Sequence, residues 1–262
     1  MRIFAISDIH IDFEDNRRWF ENLSRYDYQE DLLILAGDVT DILSMVEKVF
    51  RDLRDRFSEV LYIPGNHDLW VYRQPLMDSL EKFEIIKKIA SGCGVRMEPF
   101  HSGTVSIIPL FGWYDYSFGA PSNDLREAWV DYIACKWPEG ADEVNIAQFF
   151  SAMNEPFLNL HNDFVISFSH FVPRIDVMPA YIPFSKRDLY SVMGSRLLEA
   201  QIRKLGSRIH IYGHSHINRD VWIDDTQYIN NAFGYPYETR ITMKKLKLIH
   251  EINNNQQESC PT

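Results

Sequence analysis

Leu32-Leu33-Ile34-Leu35-Ala36-Gly37-Asp38-Val39-Thr40-Asp41 is the stretch on which the reading of this chain turns. Five apolar residues without alternation predict a strand buried on both faces, as in a parallel sheet covered by helices. A glycine and two carboxylates follow at once, at the carboxyl end of the strand, where open α/β sheets place their ligands. Outward in both directions the pattern repeats. Ile3 to Ile6 and Val60 to Ile63 read as strands of the same kind. Trp19, Phe20, Leu23 and Tyr26 recur at helical spacing between the first pair, and Ile42, Val46, Val49, Phe50, Leu53 and Phe57 do so between the second. A third helix is predicted from Pro75 to Ala90, with Pro75 in its first turn and Gly92 and Gly94 past its end. This β-α-β-α-β order implies a parallel sheet with helices against it.

The second half is richer in strands. Thr104 to Pro109, Phe111 to Trp113, Phe164 to Ser169, Arg208 to Tyr212, Arg219 to Ile223, Gln227 to Asn231 and Lys245 to Ile252 are expected strands, with a helix from near Val192 to Leu205. Tyr114 to Leu160 breaks the alternation. It carries two helical candidates, Asn123 to Ala134 and Asn145 to Met153, and is too short for a core of its own. We read one domain over residues 1–252 with an insertion at about 114–160, expected to form a lid or rim, and a polar tail at 253–262. The formal charge of −10 argues against general nucleic-acid binding, and the absence of an 18-residue apolar run argues against a membrane span. Cys93, Cys135 and Cys260 have no metal-site spacing, which fits idle thiols in a reducing compartment. The first candidate site residue lies at position 8, too early to follow a cleaved leader, so a cytoplasmic location is expected.

Chemistry concentrates in five short motifs, four of which follow a predicted strand directly: Asp8-Ile9-His10, Gly37-Asp38-Val39-Thr40-Asp41, Gly65-Asn66-His67-Asp68, the isolated His170, and Gly213-His214-Ser215-His216. Mixed imidazole, carboxylate and amide oxygens suit Mn, Fe, Zn, Ni or Co better than Ca or Mg. No cysteine is among them, so a closed structural zinc site is not expected. Taken singly, Asp8 reads as a cap or turn residue and His170 as a core histidine. Asp41 reads equally as a cap for the helix near Ile42 or as a partner of a ligand.

The set DxH, GDxxD, GNHD, lone His and GHxH, in this order over residues 8 to 216, resembles the calcineurin-like metallophosphoesterase superfamily. The resemblance implies an α/β fold: a four-layer α-β-β-α sandwich of two mixed β-sheets flanked by helices. It implies two divalent metal ions, one held by Asp8, His10, Asp38 and His216, the other by Asp38, Asn66, His170 and His214. His67 would contact the phosphate and assist the leaving group, with Asp68 orienting its imidazole. The expected activity is hydrolysis of a small phosphomonoester or phosphodiester by in-line attack of a metal-bridging hydroxide. The alternative is a non-catalytic metal-binding scaffold or adaptor of the same fold. No Arg-Gly follows GDxxD, no Tyr stands at 41, the motif is GNHD rather than GNRD, and Phe171 follows His170. These departures speak against the phosphoprotein phosphatase, purple acid phosphatase and lipid A precursor hydrolase branches and separate the chain from many bacterial cyclic-nucleotide phosphodiesterases. The acidic charge and the short chain set it apart from the nuclease branch. Arg73, Trp113, Tyr114 and Arg174 are candidate substrate contacts, because arginines clamp phosphate and aromatics stack on rings.

Overall fold

The computed structural model describes residues 1–74, 76–159 and 162–252. Pro75, Leu160 and the tail from Asn253, Cys260 included, lie outside the described residues. Three parallel strands, β1 (Arg2–Ile6), β2 (Leu32–Ala36) and β3 (Glu59–Ile63), form the first sheet, and β10 (Lys247–Glu251) adds to β1 antiparallel, in the order β10-β1-β2-β3. All five residues of β2 are buried, as the uninterrupted apolar run requires of a strand covered on both faces. The second sheet runs β4 (Phe100–Ser102), β5 (Val105–Pro109), β6 (Phe164–Phe168), β7 (Ile209–Tyr212), β9 (Thr226–Asn230) and β8 (Arg219–Ile223). There β5, β6, β7 and β9 are parallel, while β4 and β8 close the edges antiparallel.

Helices flank both sheets. The first three are α1 (Glu14–Glu21), α2 (Leu43–Arg54) and α3 (Ser79–Cys93). Phe20 of α1 lines an apolar pocket together with Ile6, Leu33, Leu35 and Leu53, and Phe50 of α2 packs on Tyr62 of β3. Next come α4 (Asn123–Ala128), α5 (Asp131–Ala134) and α6 (Glu143–Asn154), and then α7 (Arg196–Leu205), which packs with α6. Among the described residues no helix is long and apolar enough to cross a membrane. Described cysteines Cys93 and Cys135 are unpaired.

Where elements differ from expectation, the cause is local. The third helix starts at Ser79, because Asp78 accepts the N–H groups of Leu80 and Glu81 and Glu81 returns a bond in a capping box. Phe111 to Trp113 is no strand: the side chain of Asn154 bonds both the N–H and the C=O of Phe111, in place of a neighbouring strand. The helix expected from near Val192 starts only at Arg196, capped by Ser195, while Gly194 bridges to Val172. Asn123 to Ala134 divides into α4 and α5 at Trp129, whose backbone is extended.

The two sheets meet at the carboxyl end of β1. Ser7 donates its N–H to Asn231 just past β9 and accepts from Phe233, and Gly234 N donates to the carbonyl of Asp8. Six of the seven parallel strands, β1, β2, β3, β6, β7 and β9, thus aim their carboxyl ends at one region.

Candidate metal centre

The loops leaving these strands bend sharply. Asp8 (φ +54°), His10 (+38°), Asp38 (+56°), His214 (+64°) and His216 (+50°) are left-handed, a conformation that costs a non-glycine residue about 1–3 kcal/mol. Main-chain bonds from Asp8 N to Gly37 O (2.9 Å) and from His10 N to Asp38 O (3.1 Å) hold two of the bends together. Such strain gathers where side chains must converge. Space is as tight as the backbone: a Cβ on Gly65 would stand 2.2 Å from Asp38 Oδ1 and 2.6 Å from His170 Cε1.

Asp8, His10, Asp38 and His216 bring their ligand atoms within 4.8 Å of one another, all buried. His10 Nε2 lies 3.2 Å from His216 Nε2, which is 3.2 Å from Asp8 Oδ1. His216 Nδ1 donates to Glu238 Oε2 at 2.7 Å, leaving Nε2 to face the cluster. Burial, with Asp8 and Asp68 nearby, pushes the carboxyl of Asp38 well above the carboxylate range. Burial also drives His10 far down, helped by His216. His216 resists its burial, because Asp8 and Glu238 raise it to about 9. The pocket calls for positive charge.

A second quartet shares Asp38. Asn66 Oδ1 lies 3.1 Å from His170 Nε2 and 2.9 Å from His214 Nδ1, and Asp38 Oδ2 is 3.5 Å from His170 Nε2. The far ring nitrogens settle the tautomers. His170 Nδ1 faces the carbonyl of Ala36 at 2.9 Å, and His214 Nε2 faces that of Val192 at 3.0 Å. Carbonyls accept, so the N–H groups sit there and the lone pairs point inward. Asn66 Nδ2 donates to Asp131 at 2.8 Å, so its oxygen also points inward. Burial keeps both imidazoles neutral, pressing His214 down to about 3. Acceptors thus face acceptors with no proton between them, an arrangement a divalent cation completes.

His67 stands at the mouth, partly exposed, with Nε2 3.9 Å from Asp38 Oδ2 and 3.4 Å from Tyr235 Oη. Its ring stacks on Trp70 at 3.6 Å, and burial with His10 close by holds it well below the usual histidine range. Asp68 does not orient it. Its two oxygens accept the main-chain N–H groups of Asp38, Val39, Thr40 and Gly65, at 2.9 to 3.1 Å, tying the loop after β2 to the loop after β3. Of the four expected substrate contacts, Arg73 and Arg174 are engaged in ion pairs and Trp113 and Tyr114 are buried. Arg73 is held by Asp41 at 2.6 Å, and the cap of α2 is Ile42, so Asp41 pairs with Arg73 rather than capping that helix. Arg174 is clamped by Asp176 and Glu199. Trp113 and Tyr114 are wholly buried, packed on Phe171, Trp137 and Tyr132.

Other residues border the site instead. Tyr235 lies against the rings of His10 and His216 at 4.7 and 4.8 Å, and Glu238 holds His216. Both follow β9, so the rule that ligands gather past parallel strands would have found them. Asp131 and Trp129 come from the insertion, where the sequence carried no such signal.

The calcineurin-like phosphoesterase family pattern matches residues 1–218. A curated relative, the [acyl-carrier-protein] phosphodiesterase PptH of Mycobacterium tuberculosis, is 24% identical over 264 residues, covering 91% of this chain and 79% of its own. The crystal structure of phosphopantetheinyl hydrolase PptH from that organism superposes with a TM-score of 0.82 at 24% identity, covering 100% of this chain and 98% of its own. A further solved structure reaches 0.53 at 13% identity over 88% of this chain and 90% of its own. The ordered motifs, the two mixed sheets and the family match over most of the chain agree, and the chain belongs to the calcineurin-like phosphoesterases, hydrolases of phosphoric esters.

Proposed function

We propose that the chain is a dinuclear, divalent-metal-dependent phosphodiesterase. The observation that carries the second ion is the inward-facing oxygen of Asn66 between the lone pairs of His170 and His214, with Asp38 shared by both quartets. Bound there, two cations would supply Lewis-acid stabilisation of the phosphoryl charge and lower the pKa of a coordinated water. The chain does the rest. Asp38, placed between the quartets, fixes both. His67 projects into the mouth, where its imidazole can bond a phosphoryl oxygen. Burial lowers its pKa in the free protein, and the negative charge of a bound phosphate would raise it so that the ring can hand a proton to the leaving oxygen. No covalent intermediate on serine is needed, since Ser169 Oγ is engaged by Phe171 O and His210, and Ser215 Oγ by Asn230. A diester is favoured because PptH is named a phosphodiesterase, and that name makes a protein-linked diester a substrate class to try besides small esters. A scaffold would tolerate lost ligands, yet all seven are present.

The test is elemental analysis together with turnover of bis(p-nitrophenyl) phosphate and p-nitrophenyl phosphate, supplied in turn with Mn, Fe, Zn, Ni, Co and Mg. Two ions per chain and faster diester cleavage are expected. A single ion at saturation would refute the dinuclear centre, and no turnover with any metal would return the scaffold reading.

A further inference from the structure

The insertion contributes a buried carboxylate to the back of the site. Asp131, the first residue of α5, is almost fully buried. It accepts three N–H groups: Asn66 Nδ2 (2.8 Å) and Trp70 Nε1 (2.7 Å) on one oxygen, Trp129 Nε1 (2.8 Å) on the other. Each donor touches the site. Asn66 faces His170 and His214, Trp70 stacks on His67, and Trp129 sets its ring edge-on to His214 at 6.0 Å. Main-chain bonds from Val71 N to Ala134 O and from Ser79 N to Lys136 O, both 2.7 Å, fasten this segment to the chain beyond Asn66.

A primary amide has two nearly isosteric orientations. Facing two imidazole lone pairs, an unrestrained Asn66 would turn its NH2 inward and donate to both rings. The site would then be closed by its own hydrogen bonds, each worth about 0.5–1.5 kcal/mol. A bond to an ionised acceptor is worth about 1.5–3 kcal/mol, which reverses the preference. We infer that Asp131 is a positioning residue: its carboxylate holds the amide of Asn66 with the oxygen inward, keeping the His170–His214 side open to a cation, and seats His67 through Trp70. The inference rests on the dinuclear reading proposed above.

Asp131→Asn keeps the shape and removes the charge. Metal titration calorimetry of this variant should show one equivalent bound as in the native protein and the other weakened about 10–100-fold, the range seen when a partner of a metal ligand is removed. In the metal-free protein, the side-chain amide signals of Asn66 and the indole N–H signals of Trp70 and Trp129 should shift in 15N spectra. Native affinity for both equivalents with unmoved amide signals would overturn the inference. Asn66→Ala separates it from the reading beneath it. If that variant still binds two ions with native affinity, Asn66 is not a ligand and the second quartet fails; if it loses one while Asp131→Asn loses none, only the positioning role fails. Should Asp131→Asn fold poorly, the double variant Asn66→Asp/Asp131→Asn reverses donor and acceptor at unchanged total charge. It is expected to bind both equivalents, and a folded double variant lacking one would count against the pairing.

Discussion

The neighbours His67 and Asp68 show how little adjacency in sequence says about role. Asp68 is an anchor: four main-chain N–H groups converge on its buried carboxylate, and a buried donor left unsatisfied costs about 1–3 kcal/mol. Asp68→Ala should therefore lower the melting temperature and weaken metal binding together, because the loops carrying Asp38 and Asn66 lose their tie. A variant that binds metal and melts like the native protein would show the anchor to be dispensable. His67 predicts the opposite pattern. His67→Asn should keep both metals and the native melting point, and lose far more activity on alkyl esters than on nitrophenyl esters. An alkoxide needs the proton that general-acid catalysis supplies, worth about 10²–10⁴ in rate, whereas a nitrophenolate leaves without it. Equal losses on both substrates would leave His67 only a contact to the phosphate oxygens. A third side chain gives a pH dependence. Lys82 is buried, with its ammonium bonded to the carbonyls of Asp41 and Trp70, and burial lowers it from 10.5 to about 8. The unfolded chain then binds more protons than the native one above about pH 8, so this group makes stability rise with pH there, by at most about 1.4 kcal/mol per unit. Denaturant titrations at pH 8 and 9.5 should show this rise in the native protein relative to Lys82→Met. Parallel pH profiles for the two would reject it.

At the scale of elements, the apolar runs at residues 3–6, 32–36 and 60–63 were legible because a strand covered on both faces admits nothing but apolar side chains. The motif residues were legible because carboxyl ends of parallel strands must meet, whatever their distance in sequence. What stayed hidden depends on side-chain contacts that no periodicity carries. The strand β4 has three residues and no buried face. Asn154 displaces a strand at Phe111, and the turn at Trp129 splits a helix to bring Asp131 inward. Trp113 and Tyr114 also follow a parallel strand, but the insertion covers them, so position alone misassigned them to substrate. That insertion is anchored in the core. Phe150 of α6 is buried edge-on against Phe83 of α3, whose ring meets Phe111 in turn. Phe150→Ala should accordingly destabilise the whole protein by about 3–5 kcal/mol, the range for a phenylalanine removed from a core. Urea unfolding monitored by circular dichroism decides it, and a loss below 1 kcal/mol would mean that the insertion rests on the surface after all.

Across the whole molecule, the proposed ligand set straddles the two sheets. Asp8, His10, Asp38 and Asn66 leave strands of the first; His170, His214 and His216 leave strands of the second. Ions bound among them would join the sheets where Ser7 already pairs with Ala232, and only the folded chain assembles that site. Anything that binds the native state alone stabilises it, by about 2.7 kcal/mol for a ligand at one hundred times its Kd. For a domain of this size 1 kcal/mol moves the melting temperature by roughly 2–4 °C. Chelation should therefore lower the melting temperature by about 5–10 °C, and re-addition of metal should restore it in a concentration-dependent way. Asp38 makes the argument sharper, since it serves both quartets and is itself a liability without metal. Its buried carboxyl, beside Asp8 and Asp68, is pushed far up by lost hydration and like charge. Asp38→Asn removes that repulsion along with the shared ligand. The variant should hold no metal, show no turnover, and melt at the same temperature with or without chelator, at or above the chelated native protein. If instead it melts well below the chelated native protein, the carboxylate stabilises the fold on its own account. If chelation leaves the native melting point unmoved, the ions do not bind across the two sheets.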